Sequence, residues 1–103
     1  MNNKFKNNFL EELFAIVEQG NKSNKKNSYT KNLLTKGKNK IAQKIGEESA
    51  ELIIDYLNGS KKRVIEEASD LLYHLMVLLY SKKISLKDIE KELKSRKKNV
   101  QQK

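Results

Sequence analysis

Apolar side chains recur at i, i+3 and i+4 for most of the chain, and no run alternates apolar with polar over the length of a strand. The pattern predicts an all-α domain. Phe9, Leu10, Leu13, Phe14, Ile16 and Val17 mark a first helix from about Asn8 to Gln19, which Gly20 is expected to end. The polar segment 21–27 reads as a loop. A short helix from about Tyr29 to Thr35 follows, with Ser28 as its N-cap and Gly37 as its stop. A third helix, about Asn39 to Leu57, and a fourth, about Lys61 to Lys82, leave only a very short turn around Gly59 and Ser60. Two helices so joined must pack as an antiparallel hairpin. Ser85 caps a last helix, Leu86 to about Lys97, and Asp88 three residues on makes a capping box with Asp in place of Glu. Residues 1–103 read as a single domain without internal repeats, frayed over 1–7 and 99–103.

The fourth helix is apolar nearly all round between Leu71 and Tyr80. Such a helix wants burial on most sides. One hairpin with short flanking helices does not supply it, and 37% hydrophobic residues in 103 make only a modest core. A homodimer that completes a four-helix-bundle core is therefore expected.

Acidic residues interrupt this apolar pattern at two places, GEESAE (46–51) and EEASD (66–70). At about 100° per residue, Lys44, Glu48, Glu51 and Asp55 share a stripe at the edge of the apolar face of the third helix. Arg63, Glu67, Asp70 and His74 share a similar stripe on the fourth. Glu51 lies eight residues before Gly59 and Glu67 eight after; Glu48 lies eleven before and Asp70 eleven after. In an antiparallel hairpin these pairs stand at matching heights, roughly 12 and 16 Å from the turn. Four ionised carboxylates at close range repel, so some are protonated or cations hold them. All-oxygen ligands suit Mg²⁺, with Mn²⁺ as the nearest substitute, and Mg²⁺ commonly serves phosphate chemistry. Lys44 with Glu48 and Arg63 with Glu67 are equally legitimate i,i+4 ion pairs.

The formal net charge is +9, which favours a polyanionic partner such as a phosphorylated ligand, nucleic acid or an acidic membrane surface. The lysines are spread among asparagines, as on a solvated surface. Cysteine is absent and His74 is the lone histidine, which excludes disulfides, thiolate sites and a multi-histidine zinc site. The N-terminus lacks the long apolar run of a secretory signal, and no segment approaches the roughly 18 apolar residues of a membrane helix. The expectation is a cytoplasmic protein with no membrane association.

KIGEESAE (44–51) followed by EEASDLLYHLMVLL (66–79) resembles the E-E-x-x-E … E-x-x-D pattern of the MazG-like all-α nucleotide pyrophosphohydrolases. SYTKNLLTKGKNKIAQKIGEESAE (28–51) and ASDLLYHLMVLL (68–79) are similar, more specifically, to the signatures of phosphoribosyl-ATP pyrophosphatase (phosphoribosyl-ATP diphosphatase), over about 28–96. Lys31 and Ser49 depart from residues common in that family, without touching the acids. The resemblance implies Mg²⁺-dependent hydrolysis of 1-(5-phosphoribosyl)-ATP to 1-(5-phosphoribosyl)-AMP and pyrophosphate, the second step of histidine biosynthesis. It implies Glu48, Glu51, Glu67 and Asp70 as metal ligands, and Glu47 as a nearby group that helps orient water. It also implies a homodimer. Relatives with a fused cyclohydrolase domain carry Cys and His ligands there; this chain has no cysteine and reads as the stand-alone enzyme.

On this reading Glu47 or Glu51 assists the attacking water as a base. Lys40, Lys44 and Lys36 meet substrate phosphates as point charges, or form a solvated basic face. Arg63 does the same or merely pairs with Glu67. Tyr29 contacts substrate or anchors its helix. His74 meets metal or substrate, or is a hydrogen-bonded edge histidine. Two other functions compete: a MazG-like enzyme cleaving other (d)NTPs, and a basic helical protein that binds nucleic acid. The second is weakened by the concentration of acids and the lack of an arginine-rich or aromatic reading face.

Overall fold

Local capping decides where most of the helices begin. In the computed structural model, residues 8–22 and 28–97 are described, without the side chains of 21 and 22. They form five helices, α1 (Phe9–Lys22), α2 (Tyr29–Lys36), α3 (Lys38–Asn58), α4 (Lys61–Ser81) and α5 (Leu86–Ser95), with no strand among them. Ser28 Oγ accepts from the Lys31 N–H, Ser60 Oγ from Arg63 and Ser85 Oγ from Asp88, each satisfying a donor the helix itself leaves free. The expected capping box is formed: Asp88 Oδ2 accepts from the Ser85 N–H at 2.9 Å. Gly37 ends α2 and starts α3 with φ 94°, a value that disfavours any side chain. The ends expected to fray and residues 23–27 of the expected loop lie outside the described residues.

Gly20 does not end the first helix, which continues to Lys22. Its missing side chain serves a close approach instead. A Cβ at Gly20 would stand 2.8 Å from Thr30 Cβ on α2, so α1 and α2 pack where only glycine fits. Asn21 and Lys22, expected in the loop, belong to α1.

The α3–α4 hairpin is the frame of the molecule. Two residues join the helices, and α1 and α2 pack on it. Val17, Leu33, Ile41, Met76 and Val77 form the buried core, with Leu13, Phe14, Leu72 and Leu78 packed around it. Each such side chain contributes roughly 1.5–3 kcal/mol when fully buried. The apolar stretch of α4 is largely covered within one chain, since Met76, Val77 and Leu79 are all buried. Exposed apolar residues include a group near the hairpin turn, Ile53, Ile54, Tyr56 and Leu57 of α3 and Ile65 of α4, and others on α1 and α5.

Candidate active site

The hairpin brings Glu48 of α3 against Glu67 and Asp70 of α4. One carboxylate oxygen of each lies within 4.8 Å of the other two. Glu48 and Glu67 are buried and Asp70 is exposed. The pairing follows from the two-residue turn, which sets these positions at matching heights on antiparallel helices.

Each buried carboxylate has one oxygen on a cation. Glu48 Oε2 lies 3.7 Å from Lys44 Nζ, and Glu67 Oε2 accepts from Arg63 Nη2 at 2.8 Å. The other oxygen of each, Glu48 Oε1 and Glu67 Oε1, is buried with no hydrogen-bond partner among the described residues. A buried acceptor without a donor costs about 1–3 kcal/mol, and more when it is charged. Glu51 is exposed and near enough to Glu67 to act on its titration. Burial pushes the Glu67 carboxyl above the usual range, Glu51 and Asp70 add to the shift, and Arg63 opposes it. The structure thus clusters Glu48, Glu67 and Asp70, with Glu51 near Glu67, from the two heights that helix counting gave.

The donor set fits a hard dication. Every candidate ligand is a carboxylate oxygen, and Glu48 and Glu67 each have one oxygen without a partner among the described residues. Opposite ligands of one Mg²⁺ stand roughly 4.2 Å apart, comparable with the spread here. A hollow of about 560 Å³ between α1 and α5, lined by Leu10, Leu86, Ile89 and Leu93, contains none of these acids.

The family model for phosphoribosyl-ATP pyrophosphohydrolase matches residues 10–97, across both acidic segments. The chain belongs to the phosphoribosyl-ATP pyrophosphohydrolase family. It is 47% identical to a phosphoribosyl-ATP pyrophosphatase of Bacillus cytotoxicus over 87 residues, which span 84% of this chain and 81% of the relative. It is 44% identical to one of Sulfolobus acidocaldarius over 89 residues, 86% of this chain and 94% of the relative. Similarity to the histidine biosynthesis bifunctional protein HisIE of Bacteroides thetaiotaomicron is 42% over 88 residues, 85% of this chain but only 43% of that protein.

The other residues singled out in this family member take distinct places. Glu47 is outside the cluster: Gln43 Nε2 donates to its Oε2 at 2.8 Å and Lys44 Nζ lies 3.4 Å from its Oε1. The Gln43 hydrogen bond, then Lys44, hold its carboxyl below the usual range. Lys44 bridges Glu47 and Glu48. Partial burial works against its charge, but Tyr29, Glu47 and Glu48 outweigh it and raise its pKa. Lys40 is half-buried one turn earlier, within electrostatic reach of Glu47. Lys36 is exposed in the last turn of α2.

Arg63 is held by three carboxylates, Glu66 and Glu67 at 2.8 Å and Asp55 at 3.6 Å. It orients Glu67 more directly than it offers itself to a phosphate. Tyr29 and His74, 45 residues apart, meet through a 2.8 Å contact between the Tyr29 hydroxyl and His74 Nε2. His74 Nδ1 lies 2.7 Å from the Asp70 carbonyl oxygen, so both ring nitrogens have partners. The hydrogen-bonded reading of His74 matches this placement. One participant escaped sequence reasoning. Asp55 on Arg63 was visible on the acidic stripe, whereas Tyr73, which stacks on Tyr29 and bonds the Thr30 hydroxyl, gave no signal beyond its place beside His74.

Proposed function

We propose that the chain hydrolyses phosphoribosyl-ATP to phosphoribosyl-AMP and pyrophosphate in a Mg²⁺-dependent reaction, the second step of histidine biosynthesis. Its family supports the substrate, and one observation supports the chemistry: two facing buried carboxylates each keep an oxygen that no donor among the described residues satisfies. Glu48, Glu51, Glu67 and Asp70 would hold the metal, with Mn²⁺ as a substitute for Mg²⁺. The ion, when bound, neutralises triphosphate charge and makes water more acidic.

The chain's own groups divide the remaining work. Arg63 holds Glu67 in place, and Lys44 does the same for Glu48 while offering its charge to a phosphate oxygen. Glu51 is exposed and accepts the proton of the attacking water. Glu47 acts at one remove, through Lys44, and Lys40 and Lys36 would add positive charge for the polyanion. Water adds across the α–β anhydride; the P–O–P link breaks and pyrophosphate departs.

The test is pyrophosphate release by the purified chain, with and without Mg²⁺, from phosphoribosyl-ATP and from a panel of dNTPs. Turnover of phosphoribosyl-ATP is expected to exceed that of every dNTP, and Glu48→Gln to abolish it with helicity intact. Near-normal turnover in that variant excludes the site. Preference for a dNTP moves the chain to the other MazG-like activity.

We further propose a homodimer. The exposed Ile53, Ile54, Tyr56, Leu57 and Ile65 form an apolar area unusual for a monomer's surface, beside the acids. A sedimentation experiment showing a stable monomer at micromolar concentration contradicts this. No described helix is long and apolar enough to cross a membrane. A cytoplasmic location is part of the same proposal and rests on the biosynthetic role.

A further inference from the structure

With a neutral imidazole, the Tyr29–His74 contact has one polarity. A carbonyl oxygen only accepts, so His74 Nδ1, 2.7 Å from the Asp70 carbonyl, carries the ring proton. In the neutral ring Nε2 is then the acceptor, and the Tyr29 hydroxyl donates to it at 2.8 Å. Burial raises the Tyr29 pKa, with Lys44 opposing, which keeps the hydroxyl protonated and able to donate. Three rings lock together: Tyr29 and Tyr73 stack at 6.0 Å, and His74 meets each of them edge-on, at 5.7 and 5.3 Å. His74 is buried, yet Tyr29 remains 47% exposed at the first position of α2. His74 in turn bonds the backbone of Asp70, so Tyr29 is tied through one residue to the acid cluster.

We propose that Tyr29 is the wall on which the nucleoside part of the substrate packs, and that His74 is its positioning residue, tying the ring to the backbone of Asp70. This rests on the reading of the cluster as a nucleotide pyrophosphohydrolase site. The phosphates belong to the charged side of that site, at Lys44 and the carboxylates. The Tyr29 hydroxyl is committed to His74, so what the residue offers a ligand is its flat apolar ring. An aromatic face accepts a base or sugar through stacking and apolar contact.

Two readouts test the proposal. The chain has one histidine, so its imidazole nitrogens give unambiguous NMR signals. The Nδ1-protonated tautomer is expected in the wild type, with an Nε2 signal that shifts in Tyr29→Phe; an Nε2-protonated tautomer overturns the arrangement. In steady-state kinetics with phosphoribosyl-ATP and Mg²⁺, Tyr29→Ala is expected to raise KM roughly tenfold, as the loss of a stacking partner does, with kcat little changed. Inhibition by inorganic tripolyphosphate, which has no nucleoside, should be unaltered in the same variant. Tyr29→Phe and His74→Leu should each raise KM roughly three- to tenfold, the worth of one hydrogen bond, and together no further. His74→Gln, which retains an acceptor near the position of Nε2, should restore most of the affinity. Unchanged KM in folded Tyr29→Ala and Tyr29→Phe, or an equal loss of tripolyphosphate inhibition, overturns the wall while wild-type turnover upholds the site. A wild-type chain that releases no pyrophosphate removes both.

Discussion

Glu48→Gln separates a metal-ready acid from an ordinary buried ion pair. The replacement keeps the shape and removes one negative charge. If Glu48 served only to pair with Lys44, breaking a buried pair would cost about 3–5 kcal/mol. The cluster predicts a much smaller loss. At an effective dielectric of about 20, Lys44 at 3.7 Å attracts Glu48 by about 4.5 kcal/mol. Glu67 and Asp70, each within 4.8 Å when ionised, repel it by about 3.5 kcal/mol apiece or more. Arg63 on Glu67, and the raised pKa of Glu67, reduce that repulsion. What remains of roughly 7 kcal/mol of repulsion offsets most of the attraction of about 4.5 kcal/mol, so the metal-free variant should lose no more than about 1 kcal/mol relative to wild type, a fall of at most roughly 4–8 °C in Tm. The cation response should differ sharply. Wild type at a Mg²⁺ concentration about 100 times Kd gains about 2.7 kcal/mol, and the variant gains little. Thermal melts of both proteins in EDTA and in MgCl₂ measure all four states. A loss of 3 kcal/mol or more in EDTA, together with a Mg²⁺ response equal to wild type, would refute the reasoning.

Gly20→Ala should destabilise the chain: forcing a Cβ to within 2.8 Å of Thr30 Cβ costs roughly 1–3 kcal/mol, only partly offset by about 1 kcal/mol of helix propensity, and denaturant melts will show the net loss. Glu47→Gln should lower turnover by roughly 10- to 100-fold, as loss of an outer partner does, while the Mg²⁺ response of Tm persists. The metal-free chain should carry a pH signature from Glu67, whose folded-state pKa is raised by burial, Glu51 and Asp70 against the opposing Arg63. That contribution is fully present below the ordinary carboxylate pKa and fades as pH rises through the raised value. Glu47, with a lowered pKa, contributes in the opposite sense, fading as pH falls through its own value. Subtracting the Tm profile of Glu67→Gln in EDTA from that of wild type isolates the first; a difference that rises with pH contradicts it.

Helix number and the hairpin could be read from sequence because their causes are local. Ser28, Ser60 and Ser85 cap their own helices, and a two-residue connection leaves α3 and α4 little choice of direction. Counting outward from Gly59 then placed Glu48, Glu51, Glu67 and Asp70 together, as found. Gly20 was misread because its role is set by Thr30, ten residues away on another helix. Adjacent Glu47 and Glu48 look alike in sequence, yet one is buried and the other turns outward to Gln43 and Lys44. The Tyr29–His74 and Thr30–Tyr73 contacts span 45 and 43 residues, beyond any helical period. The middle of α4 is more covered than its periodicity suggests because α1, α2 and α3 pack on it, while Ile53, Ile54, Tyr56, Leu57 and Ile65 stay exposed toward the turn.

Anomalous diffraction from crystals of the wild-type chain soaked in Mn²⁺ addresses the cluster most directly. A strong peak is expected between α3 and α4, within coordination distance of Glu48, Glu67 and Asp70. Ordered crystals with those carboxylates apart and no manganese between them would contradict the account.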